Sequence, residues 1–218
     1  MRLLLVEGES DKSFFQEVCR SLGLQASVRV APPREVQGAH NSKEGVFKHL
    51  PVLLKQLSDG SLERLAVVVD ADFEQDSGLG CRRTRERVEG ILREVGFSPA
   101  KRAPQQRGLV FTHSDGFADL GLWIMPDNRQ DGCLENFVQT CVGQDEQPLL
   151  RRAQDVVGAL PSPRRFKDVQ VGKAELATWM AWQQQPGRRL YHALQAGLID
   201  VENQPFVGLI EWLRHIYR

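Results

Sequence analysis

Acidic residues stand where two short apolar runs stop. Residues 2–9 read RLLLVEGE, with Asp11 close behind, and residues 64–72 read RLAVVVDAD. Leu3–Val6 and Ala66–Val69 are aliphatic and short, the composition of buried strands. Glu7, Asp70 and Asp72 then fall at or just past the strand ends, where an open parallel sheet collects its ligands. If the two strands are neighbours, Glu7, Asp11, Asp70 and Asp72 share one small volume. Carboxylates at close range raise one another's pKa unless a cation compensates them. An all-oxygen donor set suits Mg²⁺ or Mn²⁺. The pattern therefore predicts a divalent-metal site. The bland alternative is that each carboxylate is a turn former or helix cap, with Asp11 complementing a helix dipole. Asp70 and Asp72 share a face if the strand continues and diverge if it ends between them.

Two further acids, Asp127 after a third strand and Glu135 on the helix that follows, are candidate metal ligands. The run Leu120–Met125 is followed by Pro126-Asp127-Asn128, and Glu135 lies on the short helix expected over residues 134–142. Lys173 opens a later helix and could neutralise charge developing on a phosphate, or be an ordinary surface lysine. Basic runs at Arg82–Arg87, Lys101-Arg102, Arg151-Arg152 and Arg164–Lys167 read as solvated faces, or as phosphate contacts if some converge on the acids. Four cysteines lack C-x-x-C spacing, and five histidines, His40 among them, lack metal spacing.

The elements that must position these residues alternate. Strand Arg2–Glu7 leads to helix Asp11–Leu22, with Ser10 as its N-cap and Gly23 ending it. A weak strand, Ala26–Ala31, stops at Pro32-Pro33. An amphipathic helix follows, carrying Val46, Phe47, Leu50, Leu53, Leu54 and Leu57, with Pro51 set to kink or divide it. Strand Leu65–Asp70 and helix Thr84–Val95 come next. This β-α-β-α-β-α order implies a parallel sheet with right-handed crossovers. Leu109–Thr112 and Leu120–Met125 read as a hairpin whose second strand joins the main sheet. Helices are expected over 149–160, 167–183, 188–196 and 205–217. The fold expected is α/β, a Rossmann-like core (residues 1–143) with a mostly parallel sheet flanked by helices, plus a C-terminal helical layer (144–218) packed on it.

Totals restrict the partners. Of 218 residues, 41% are hydrophobic and 26% charged, and 28 Lys+Arg balance 28 Asp+Glu. A basic coat for nucleic acid is excluded, though a local patch is not. No apolar run approaches the ~20 residues that span a bilayer. The early acids after Met1 argue against a secretory signal. A cytoplasmic protein without a membrane partner is the expectation.

The order strand–Glu–Gly, strand–Asp-x-Asp and then a later acid resembles the TOPRIM fold of topoisomerases, bacterial primases, OLD-family nucleases and RecR-type repair proteins. VEGESD, with Asp11 four positions after Glu7, is most similar to the OLD-family branch. IMPDNRQDGCLENF and GKAELATWMAWQQQPGRRLYHAL resemble small stand-alone TOPRIM-like proteins of undefined role. The likeness implies Glu7 as general base or metal ligand and Asp70 and Asp72 as Mg²⁺ ligands. It also implies Asp11 and Glu135 at a second metal, and Lys173 as the counterpart of a late nuclease lysine. No G-x-x-x-x-G-K-[ST] loop is present, so an ATPase would be a separate partner protein.

The expected function is Mg²⁺-dependent phosphodiester hydrolysis, or related phosphoryl transfer, on nucleic acid. The alternatives are a non-catalytic module that binds nucleic acid or protein, and phosphoryl transfer on a small metabolite. Oligomeric state is not legible in the sequence.

Overall fold

The computed structural model describes residues 1–31, 42–101 and 107–218. The expected break at Pro32-Pro33, as well as His40 and Arg102, lies outside them. Six strands form one sheet: β1 (Arg2–Val6), β2 (Ser27–Val30), β3 (Arg64–Asp70), β4 (Phe97–Pro99), β5 (Leu109–His113) and β6 (Leu120–Met125), in the order β2-β1-β3-β6-β5-β4. The first four in that order run parallel, β5 is antiparallel to β6, and β4 is antiparallel to β5.

Alternate side chains of each strand enter different cores, as the two-residue repeat of a strand requires. Leu3, Leu5, Val67 and Val69 pack on one face with α2 (Ser42–Ser58) and α3 (Gly80–Glu94). Leu4, Val6, Ala66, Val68, Trp123 and Met125 pack on the other. That second core includes Phe14, Phe15 and Val18 of α1 (Glu9–Ser21), Phe137 of α4 (Leu134–Cys141) and Leu150 of α5 (Gln147–Gly158). It also takes in Trp179 of α6 (Val171–Ala181), Ala193 of α7 (Tyr191–Gln195) and Trp212 of α8 (Gln204–Ile216). Burial on both sides explains why β1, β3 and β6 are continuous apolar runs rather than alternating ones.

The chain passes from β1 through α1 to β2 on one side of β1. It then returns through α2, over the opposite face, to β3 on the other side. Strand order therefore reverses between β1 and β3, the topological switch point where α/β sheets place ligands. Glu7 and Asp70 are at that point. Among the described residues, no helix is long and apolar enough to cross a membrane.

Candidate active site

Glu7 directly follows β1, and Gly8, in extended conformation, is the N-cap of α1. Ser10, expected as the cap, lies inside the helix instead. No side chain caps this end; the Lys12 N–H finds the Gly8 carbonyl at 2.9 Å. A Cβ on Gly8 would stand 3.1 Å from Asp11 Oδ2. Glycine here lets the Asp11 carboxylate lie back over the strand end, beside Glu7.

At the end of β3 the Asp70 N–H donates to Glu7 Oε1 at 2.9 Å. Asp70 Oδ1 accepts the Leu134 N–H at 3.0 Å, so the first turn of α4 docks on this aspartate and brings Glu135 to the same edge. Anions are favoured at such a helix start. Asp72 turns away. It has φ 59 and exchanges backbone hydrogen bonds with Gly132. Its carboxylate pairs with Lys43, whose Nζ also donates to the Ala71 carbonyl at 3.2 Å. Asp70, which ends β3, and Asp72, two residues beyond it, therefore diverge.

Burial is the largest influence on three of these acids. It pushes Glu7 up to about 8, against the lowering effect of Lys43 and of the Asp70 N–H, with Asp72 and Asp11 raising it further. Burial pushes Asp11 up to about 6, with Glu135 adding to it and Lys173 opposing. Asp70 is raised well above the carboxylate range by burial, then by Glu7, Asp11, Glu135 and Asp72. Lys173 Nζ stands 3.8 Å from Glu135 Oε1. Burial lowers its affinity for a proton, but Glu135, Cys133, Asp70 and Asp11 outweigh that and leave the pKa above the usual lysine value. Five acids from four elements thus share one electrostatic neighbourhood with two lysines.

The space between them is a cleft of about 180 Å³ lined by Glu7, Asp11, Asp70, Glu135 and Lys173. A second, of about 340 Å³, shares Asp70 and Lys173 and reaches Asp72 and Gln170. The donors are hard oxygens, the chemistry that fits Mg²⁺ or Mn²⁺. Among the described residues, no three carboxyl, imidazole or thiol groups already converge as a metal cage. Glu7 and Asp70 each give one oxygen to a backbone N–H instead.

Asp127 stands apart from this group. Its Oδ1 accepts the Arg129 and Gln130 N–H groups at 3.0 and 2.8 Å, closing its own turn, and its charge acts with Asp131 on Cys81. Several arginines of the basic runs are held in exposed ion pairs rather than gathered at the cleft: Arg82–Glu86, Arg85–Glu89, Arg87–Glu44 and Arg164–Asp168. The four cysteines are free and buried. Two residues of the site neighbourhood are not singled out by the sequence reading. Asp131 accepts the Cys81 N–H at 2.8 Å and so anchors the start of α3. Lys43 lies in the first turn of α2, where a cation opposes the helix dipole. That local mismatch is the one signal that could have marked it.

An α/β sheet with an acidic cleft at its switch point defines the class. The chain matches, over residues 1–218, the model of the family described as protein of unknown function (DUF3226), and it belongs to that family. No curated protein and no solved structure matches it.

Proposed function

We propose that this protein is a divalent-metal-dependent phosphodiesterase acting on nucleic acid, with a TOPRIM-like core. The observation that supports the reading most is the gathering of Glu7, Asp11, Asp70 and Glu135 around one cleft beside Lys173. Glu7, Asp11, Asp70 and Glu135 would hold the ion. A bound Mg²⁺ or Mn²⁺ supplies Lewis-acid polarisation of a phosphate and a water of lowered pKa. Glu7 presents Oε2 to the cleft, since Oε1 is bonded to the Asp70 N–H. Burial, with Asp72 and Asp11 adding to it against Lys43, pushes the Glu7 carboxyl up to about 8 in the ion-free protein. Lys173, with 57% of its side chain exposed, would bind a non-bridging phosphate oxygen.

A separate ATPase as partner and a cytoplasmic setting belong to the same reading. Four free thiols fit a reducing compartment. The test is to incubate the chain with plasmid, single-stranded DNA and RNA in Mg²⁺ or Mn²⁺, beside Asp70→Ala. Cleavage by the native chain alone is expected. Equal cleavage by both, or none across all substrates, overturns the proposal. Salt-sensitive binding without turnover selects the alternative of a non-catalytic module.

A further inference from the structure

We infer that Lys43 stands in place of a second divalent ion, so that the cleft takes one ion rather than two. This rests on the metal-dependent reading above. The acids fall into two groups on either side of Glu7. Asp11, Asp70 and Glu135 line one cleft with it. Asp72 pairs with Lys43 instead and lines the neighbouring cleft with Asp70 and Lys173.

Lys43 is built into that position. Its side chain is 7% exposed, against 48% for Asp72. One donor goes to Asp72 Oδ2 and another to the Ala71 carbonyl. The backbone beneath is held as well, since the Ala71 N–H donates to the Met125 carbonyl and Asp72 pairs with Gly132. Removing the anion from a buried ammonium leaves an uncompensated charge in a poor solvent for it. Asp72 Oδ2 is therefore committed to Lys43 rather than open to an incoming ion. The ammonium also acts on Glu7, where it is the strongest influence opposing burial. A second cation bridging Glu7 and Asp72 would meet that ammonium directly. The charge such an ion would supply is already present and covalently attached.

The test counts ions rather than activity. Mn²⁺ is titrated into the full chain and bound ions are counted by electron paramagnetic resonance, for the native protein, Lys43→Met and Lys43→Arg. Circular dichroism first establishes that each variant is folded. The native chain and Lys43→Arg are expected to bind one ion. Lys43→Met is expected to bind a second, within about tenfold of the first in affinity. Two ions on the native chain, seen as a spin-coupled Mn²⁺ pair, overturn the inference without recourse to any variant and leave the metal reading standing. One ion on folded Lys43→Met also overturns it. No ion on any of the three overturns the metal reading and this inference together. No ion on the native chain but binding to Lys43→Met likewise overturns both, since the native cleft is then not a one-ion site.

Discussion

Replacing Glu7 by glutamine separates the energetic consequence of this site from its chemistry. In the ion-free fold the carboxyl titrates near 8, raised from an ordinary value of 4.5 chiefly by burial. The folded state therefore holds a proton that the unfolded chain releases. Stability from this group is fully present below pH 4.5 and is lost as pH rises toward 8. At about 1.4 kcal/mol per pH unit, the native chain at pH 7 has lost about 3 kcal/mol of stability on this account. Glutamine has the shape of the protonated acid and retains an oxygen for the Asp70 N–H, but it cannot titrate. In chelator, Glu7→Gln is expected to match the native chain near pH 4.5 and to exceed it by about 3 kcal/mol at pH 7. Urea denaturation across that range, in EDTA, measures the difference. Saturating Mg²⁺ should narrow it, because an ion that binds only the folded state stabilises the native chain more than the variant. A gap of constant size at every pH, or a variant weaker throughout, would refute the account of Glu7 as a buried group that keeps its proton in the fold.

Two predictions concern the scaffold. A Cβ on Gly121 would lie 2.7 Å from Ile216 Cγ1 and 2.9 Å from Trp212 Cζ2. Gly121→Ala is expected to cost about 1–3 kcal/mol through overpacking of α8 on β6, read as a lower urea midpoint. The Thr84 hydroxyl is buried with no hydrogen-bond partner among the described residues. Thr84→Val should stabilise the protein by about 1 kcal/mol, and an unchanged or lower midpoint would show that the hydroxyl is satisfied.

Strands and helices were legible wherever burial alone decides them. β1, β3 and β6 are apolar throughout because both faces of the sheet are covered, and Glu7 and Asp70 mark where that covering ends. Features that depend on distant partners were not. α3 begins at Gly80, four residues before the Thr84 expected, and Asp131 anchors that earlier start from fifty residues away. β4 is three residues long, includes Pro99 and occupies an edge, so it has almost no periodic signal. Pro51 neither divides nor ends α2, which runs from Ser42 to Ser58. In the site, Glu7 and Asp70 could be placed from strand ends alone. The divergence of Asp70 and Asp72 could not, because it follows from the left-handed turn at Asp72 and from a lysine on a different helix. Asp127 shares the strand-end position, but the N–H groups of its own turn claim it.

The last turn of α8 is bound to the first strand. Tyr217 Oη donates to the Leu3 carbonyl at 2.7 Å, and Arg2 donates to the Tyr217 carbonyl at 2.9 Å. A contact across 214 residues of sequence is closed late and slowly in a self-assembling chain. Removing the Tyr217 side chain takes away one of the two clasps that tie the end of α8 to β1.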